Sequence, residues 1–122
     1  MHPIKIAIVE DEAIIASLLH KSLEKLGYNI VGLAVNYAEA VELLHENCPD
    51  IIFLDIRMPD LDGFEFLQEF SELPQRVLEL CKIIMLSSTI DPIELEKARN
   101  SPFVLAFIPK PLTRDKIIEL FE

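Results

Sequence analysis

Five short apolar runs, separated by segments with helical character, are the feature of this sequence that most restricts its fold. The runs are Ile4–Val9, Ile30–Val35, Ile51–Leu54, Ile83–Leu86 and Val104–Ile108. Several of these runs are apolar on both faces, which is typical of strands in a parallel sheet between two layers of helices. The sequence therefore predicts alternating strands and helices with right-handed crossovers.

The segments between the runs carry helix start and stop signals. Asn36 with Glu39 resembles a capping box, Asp91 with Pro92 is a strong helix start, and Gly27 stands where a left-handed residue would end a helix. The predicted helices are Glu12–Leu26, one capped by Asn36 that stops before Pro49, Phe64–Phe70, one that begins at Asp91–Pro92, and one capped by Thr113. Met58–Gly63 is predicted as a turn and Ser71–Cys81 as a longer connection. We expect one domain over residues 1–122, with a doubly wound α/β fold of three layers.

Charge and composition argue against several classes of protein. The net charge of −10 argues against nucleic-acid binding by this domain, because no broad phosphate-binding surface is available. No segment reaches the roughly 18 unbroken apolar residues of a membrane helix, and the start, Met1–Lys5, lacks the layout of a signal peptide. We therefore expect a cytoplasmic protein without membrane contact. Cys48 and Cys81 form no C-x-x-C pair and are predicted to be buried or half-buried free thiols.

Polar residues follow four of the five predicted strands. Glu10 and Asp11 follow the first, Asp55 the third, Ser87 and Ser88 the fourth, and Lys110 the fifth. Parallel sheets of this kind bind ligands outside the carboxyl ends of their strands. We therefore expect these side chains to meet in one cleft.

Three carboxylates in one cleft repel each other unless a cation neutralises them, and oxygen ligands suit Mg²⁺. Asp55 alone among them ends a central strand, which suits a nucleophile that forms an acyl phosphate. Ser87, Lys110 and the cation could each stabilise the charge of a phosphoryl group in transfer.

Each residue also has an ordinary structural explanation. Glu10 and Asp11 suit the positive end of the following helix. Asp55 could be a turn or cap residue, Ser87 is of a type common after strands, and Lys110 could be a solvated surface lysine. The joint occurrence of the required residue types at four strand ends favours the shared site.

These residues also fall in recognisable motifs. The chain carries Val9-Glu10-Asp11-Glu12, Leu54-Asp55-Ile56-Arg57-Met58-Pro59 with Asp62-Gly63, Met85-Leu86-Ser87-Ser88, and Lys110-Pro111. Over its whole length it resembles the response-regulator receiver domains of two-component signal transduction, the CheY-like family. The resemblance implies a (βα)5 flavodoxin-like fold with a five-stranded parallel sheet in the order 2-1-3-4-5.

The resemblance also implies a role for each site residue. Asp55 resembles the phospho-acceptor, and Ser87 and Lys110 resemble the residues that bind the phosphoryl group. The implied ligands of Mg²⁺ (or Mn²⁺) are Glu10, Asp11, Asp55 and the backbone carbonyl of Arg57. Phe107 resembles an aromatic switch residue, and the Lys110–Pro111 bond is implied to be cis.

Two residues depart from the usual family pattern. Glu10 replaces a more usual aspartate. Ser88 stands beside the phosphoryl site where a small residue is usual, so it is expected to alter the dephosphorylation rate.

The implied partners are a sensor histidine kinase or a histidine phosphotransfer protein, and a downstream protein that reads a face formed by the fourth helix, fifth strand and fifth helix. Ile15 and Leu18 resemble the kinase-docking contacts; alternatively, the whole apolar stripe of the first helix enters the core. The domain is expected to act as a monomer or a phosphorylation-dependent homodimer. It is not expected to be an enzyme, apart from its own phosphotransfer and dephosphorylation.

Three other functions compete with this interpretation. A phosphatase-like hydrolase would typically have a second acid two residues after the nucleophile, where Arg57 stands. A flavin-binding module would need a loop rich in Ser, Thr and Gly after the first strand, where acids stand. A pseudo-receiver that takes no phosphate and acts only as an interaction module is the main alternative. The sequence slightly favours a single-domain regulator over a receiver cut from a longer protein.

Overall fold

Strands and helices alternate along the chain. The computed structural model describes residues 4–58, 61–88, 91–110 and 112–121, with the backbone alone for residues 37, 57, 58, 61 and 62. The elements are β1 (Lys5–Val9), α1 (Ala13–Lys25), β2 (Asn29–Ala34), α2 (Tyr37–Asn47), β3 (Ile51–Asp55), β4 (Arg57–Met58), β5 (Leu61–Asp62), α3 (Gly63–Ser71), α4 (Gln75–Leu80), β6 (Lys82–Ser87), α5 (Pro92–Asn100), β7 (Val104–Pro109) and α6 (Arg114–Phe121).

The five apolar runs form one parallel sheet in the order β2-β1-β3-β6-β7. This is the predicted order 2-1-3-4-5, since β6 and β7 are the fourth and fifth strands of the sheet. Alternate side chains of the strands enter two separate cores, one on each face of the sheet. Ala7 and Val9, for example, enter one core, and Ile6 and Ile8 the other. Burial on both faces is the reason that the central strands β1, β3 and β6 are apolar at consecutive positions.

Helices cover both faces of the sheet, which confirms the three-layer, doubly wound fold. Leu19 and Leu23 of α1 and Ile117 of α6 complete one core. The other core receives buried residues from α2, α3 and α5, among them Leu44 and Phe66. Within the described ranges, no helix has the length and apolar character that a membrane span requires.

The predicted cap residues accept hydrogen bonds from backbone N–H groups in the first turns of their helices. The Asn36 side chain accepts a hydrogen bond from the Glu39 backbone N–H at 2.9 Å, and the Asp91 side chain accepts one from Ile93 at 2.9 Å. The Thr113 hydroxyl accepts a bond from the Lys116 N–H at 3.3 Å. Gly27 has a φ of +93°, the left-handed conformation predicted for it. Short polar side chains therefore set these helix boundaries, as the sequence predicts.

Two connections have more regular structure than the sequence predicts. The segment Ser71–Cys81, predicted as a connection, contains the six-residue helix α4. Its start at Pro74 has no side-chain cap and none of its residues is buried, so neither capping nor apolar periodicity indicates it. The predicted turn Met58–Gly63 includes part of the antiparallel pair β4 and β5; Pro59 and Asp60 lie outside the described residues.

Both cysteines are free thiols, as predicted. Cys81 is buried and Cys48 is half-buried. Burial raises the pKa of the Cys81 thiol to about 12, with smaller contributions from the nearby Cys48 and Asp50. A thiol in this environment is unreactive, which supports a structural role for Cys81.

A close approach of α2 to β2 predicts a cost for Gly32→Ala. A Cβ at Gly32 would clash with Cδ2 of Leu43, so the half-buried Leu43 side chain would have to turn aside. We expect Gly32→Ala to lower the free energy of unfolding by about 1 kcal/mol, the low end of the usual range for overpacking, because the clashing atom is the end of a flexible side chain. Urea denaturation measures the change. Because a shortened residue 43 removes the clash, the same substitution should cost less in a Leu43→Ala background. Equal costs in both backgrounds would contradict this explanation.

Candidate functional site

Three carboxylates meet at the carboxyl edge of the sheet. Glu10 and Asp11 directly follow β1, and Asp55 is the last residue of the neighbouring strand β3. Each offers one oxygen atom, and these atoms lie within 4.8 Å of one another. Glu10 and Asp55 are buried, while Asp11 is half-buried. Clustered hard oxygen donors with one partly solvated member fit the preferences of Mg²⁺, which uses few protein ligands and keeps several waters.

Lys110 neutralises part of this charge. It directly follows β7, and its Nζ lies 3.1 Å from Oδ2 of Asp55 and 2.7 Å from Oε1 of Glu10. The structure thus brings together positions 11, 55 and 110 in the cleft predicted from the strand ends. The strong bond to Glu10 was not predicted. Glutamate in place of the family's usual aspartate was the available signal, because the extra methylene extends the carboxylate towards Lys110.

Burial and nearby charges shift the pKa values of Glu10 and Lys110. The pKa of Glu10 is raised from 4.5 to about 7; burial is the largest cause, the Asp55 carboxyl adds to the rise, and Lys110 opposes it. Burial alone would lower the pKa of Lys110, but the hydrogen bond to Glu10 and the Asp55 charge outweigh it and raise that pKa. Two acids thus share one firmly charged ammonium, and a proton or a metal ion would relieve the remaining negative charge.

Ser87 and Lys110 are held side by side by the backbone. Ser87 is fully buried at the end of β6. Its carbonyl accepts a hydrogen bond from the Lys110 backbone N–H at 2.7 Å. Ser88, one residue later, is exposed. The ends of β3, β6 and β7 therefore present Asp55, Ser87 and Lys110 along one edge, as predicted.

Two further predicted site residues, Phe107 and Arg57, lie in β7 and β4. Phe107 is half-buried in β7, where it pairs with Met85 of β6 and packs against the core beneath α2, α3 and α5. Arg57 begins β4, two residues after Asp55, with its backbone alone described. That the Arg57 carbonyl binds the metal, and that Phe107 acts as a switch, stay predictions. Pro111 lies outside the described residues, and with it the predicted cis bond.

Helix α1 divides its apolar residues between core and surface, so the interpretation that all of them enter the core is wrong. Leu19 and Leu23 are buried, whereas Leu18 is 61% exposed. Ile15 is half-buried. Ile14 is 76% exposed, which was not predicted, although its position four residues before Leu18 places both on one helix face.

An apolar groove of about 220 Å³ runs beside α1 and reaches Lys110. Ile15 and Leu18 line it on the helix side, and Leu86, Lys110 and Leu112 line it on the other. The groove therefore connects the exposed apolar side of α1 with the lysine that pairs with Asp55.

Comparison of the sequence with known families finds one match over almost the whole chain. Residues 6–122 match the model described as the response regulator receiver domain. The chain is 32% identical to the chemotaxis protein CheY of Bacillus subtilis, covering 94% of this chain and 92% of that protein. It is also 32% identical to the transcriptional regulatory protein PdtaR of Mycobacterium tuberculosis, covering 98% of this chain but only 56% of PdtaR.

Solved structures agree with the family match. CheY of Borrelia burgdorferi, solved as a CheX-CheY-BeF3-Mg complex, superposes with a TM-score of 0.85 at 27% identity, covering 98% of this chain and 87% of that one. A two-component response regulator from Cytophaga hutchinsonii superposes with a TM-score of 0.84 at 25% identity, covering 98% and 96% of the two chains. With its strand order, its acid cluster and its family match, the chain belongs to the CheY-like receiver domains of two-component response regulators.

Proposed function

We propose that Asp55 accepts a phosphoryl group from a phosphohistidine of a sensor kinase or a histidine phosphotransfer protein. The observation that carries this proposal is the position of Lys110, whose Nζ lies 3.1 Å from the Asp55 carboxylate inside a cluster of acids. The ammonium holds the Asp55 carboxyl group in place as an oxygen nucleophile. Oxygen donors next to it offer a place for a cation that can neutralise phosphoryl oxygens.

The transfer exchanges one bond to phosphorus for another. A carboxylate oxygen of Asp55 attacks the phosphorus and forms a P–O bond, while the P–N bond to the donor imidazole breaks and its electron pair returns to the nitrogen. The incoming group brings about −1.5 to −2 charges. Lys110 and the Ser87 hydroxyl are the groups of this chain that stabilise the charge, in transfer and afterwards.

A divalent cation, Mg²⁺ or Mn²⁺, is the cofactor that this site suits. Glu10, Asp11, Asp55 and the carbonyl of Arg57 would hold it. When bound, the ion supplies positive charge beside the phosphoryl oxygens.

The acyl phosphate is proposed to act as a switch through a population shift. Ser87 turns towards the phosphoryl group, Phe107 moves inward, and the face formed by α5, β7 and α6 then changes for a downstream partner. The Borrelia CheY, solved with CheX, BeF3 and Mg, supports a partner of this kind. Ser88, exposed beside the site, is proposed to influence how readily water reaches the phosphoryl group and removes it.

Incubation with acetyl phosphate and Mg²⁺, followed by intact mass measurement, tests the proposal. We expect the wild-type chain to gain the mass of one phosphoryl group and Asp55→Asn to gain none. Asp50→Asn, at the other edge of the sheet, is the matched control and should gain the same mass as the wild type. If the wild-type chain gains no mass with either Mg²⁺ or Mn²⁺, the chain is a pseudo-receiver that acts only through protein contacts.

The groove beside α1 is proposed as the docking site of the phosphohistidine donor, and Leu18→Glu tests it. A carboxylate at this position would be left without a partner in an apolar contact, at a cost of about 1–3 kcal/mol, or roughly 10- to 100-fold. We expect phosphotransfer from a phosphorylated histidine phosphotransfer protein to slow by about that factor. Phosphorylation by acetyl phosphate should not change, because acetyl phosphate needs no docking surface.

Leu80→Glu provides the matched control, since Leu80 is 59% exposed on α4, away from the groove. The Leu80→Glu variant should accept the phosphoryl group at the wild-type rate. Equal slowing of both variants, or slower uptake from acetyl phosphate in Leu18→Glu, would contradict a docking role.

A further inference from the structure

A second cleft, of about 250 Å³, opens between α2 and α3. Its base is apolar, with Leu44, Phe66 and Phe70 buried, and Glu69 and Glu72 are exposed at its rim. Because α2 and α3 run back from the carboxyl edge of the sheet, their last turns lie at the opposite edge from the acid cluster. The volume is below the roughly 300–1,000 Å³ of small-molecule pockets and suits one long side chain.

The charge that lines this cleft is one-sided. Among the described residues that line it, Glu69 and Glu72 are acidic, and His45 is the remaining titratable side chain. In the described part of the chain, the residues that line the cleft include neither lysine nor arginine.

The ends of the two helices add to the negative potential. His45 lies in the last turn of α2, Glu69 lies in the last turn of α3, and Glu72 directly follows α3. A helix C-terminus carries partial negative charge and is stabilised by lysine or arginine nearby. The last turn of α3 has no basic residue. The acids thus stand at the helix end where they are least favourable, and an external cation would relieve the repulsion.

We propose that the α2–α3 cleft binds an arginine side chain presented by a basic segment of a partner protein. The methylene stem would cover the apolar base, and the guanidinium would lie between the Glu69 and Glu72 carboxylates. Arginine suits the cleft better than lysine because its planar fork can bridge two carboxylates and its stem is apolar. The proposal does not depend on the phosphoryl-acceptor role, since the cleft lies at the other edge of the sheet.

A titration followed by the amide resonances of the isotope-labelled protein tests the proposal. The probe is the blocked tripeptide acetyl-Ala-Arg-Ala-amide at low salt, and its neutral counterpart carries citrulline in place of arginine. We expect the arginine peptide to shift the amides of residues 41–45 and 66–73 with a dissociation constant of roughly 1 mM or weaker, and the citrulline peptide to bind at least fivefold more weakly. Added salt should weaken the binding.

Glu69→Gln with Glu72→Gln should weaken the binding at least fivefold. The matched control, Glu96→Gln with Glu119→Gln, removes two exposed acids elsewhere and should leave it unchanged. The proposal is overturned if citrulline binds equally well, if the shifts spread over other acidic surfaces, or if both double variants behave alike. Tighter binding of spermidine than of the peptide at the same residues would also overturn it, in favour of a small polyamine.

The charge reversal Glu72→Lys gives an independent readout that separates binding from misfolding. A lysine beside the C-terminus of α3 should raise the melting temperature by about 1–5 °C, because it replaces an unfavourable interaction with the helix dipole by a favourable one. The same variant should no longer bind the arginine peptide. A lower melting temperature, or retained binding, would contradict the electrostatic argument.

Discussion

Lys110→Met is expected to lower the free energy of unfolding at about pH 8 by roughly 3–5 kcal/mol, the range found when one partner of a buried ion pair is removed. Methionine keeps the apolar stem that lines the groove beside α1 but removes the charge. Glu10 and Asp55, both almost inaccessible to water, would then face each other without a cation. Urea denaturation without metal measures the effect.

The same substitution should slow phosphorylation by acetyl phosphate by about 100-fold, because a preformed positive charge beside the phosphoryl oxygens is lost. Intact mass against time measures this rate. Lys21→Met, on the exposed surface of α1, is the control and should change neither quantity. A Lys110→Met protein as stable as the wild type at this pH would show that the ammonium does not offset the two buried carboxylates.

Glu10 should make the metal-free protein less stable as the pH rises from about 4.5 to 7. Its pKa is raised from 4.5 to about 7 in the folded state, chiefly by burial and then by Asp55. The folded state therefore holds a proton that the unfolded chain releases at lower pH. The stabilisation is complete below pH 4.5 and is lost as the pH passes through about 7. The total loss in free energy of unfolding is on the order of 3 kcal/mol.

Glu10→Gln isolates this contribution, because glutamine has the same shape and no proton to release. The difference in free energy of unfolding between the wild type and Glu10→Gln should turn in favour of the variant as the pH rises through this window. Added Mg²⁺ should stabilise the wild type more at about pH 8 than at pH 5.5, since the metal needs the ionised carboxylate. A difference that stays constant with pH would refute the shifted titration of Glu10.

Much of the architecture could be predicted because its causes are local. Strands buried on both faces are apolar at consecutive positions, so the runs of β1, β3 and β6 identify the centre of the sheet. Short polar residues such as Asn36 and Asp91 cap the helices whatever lies around them. Once the strands are parallel, the residues after β1, β3, β6 and β7 must meet at one edge, which explains why the site could also be predicted.

The features that sequence reasoning missed depend on distance and burial. The longer acid at position 10 hints at a contact, but the sequence does not show that Lys110 reaches Glu10 at 2.7 Å as well as Asp55. Helix α4 has no side-chain cap and no fully buried residue. The large apolar residues of α1 do not show by themselves which of them the neighbouring elements cover, so the exposure of Ile14 could not be predicted. Such features follow from packing between distant parts of the chain.

The irregular register of the two outer strands affects how this protein can associate. Val31 of β2 has no partner residue in the ladder with β1, and Leu105 of β7 has none in the ladder with β6. An additional residue of this kind bends a strand and increases its twist. We therefore expect both outer strands to be poor templates for a further strand from another molecule, which would limit edge-to-edge aggregation of a chain with 51% hydrophobic residues.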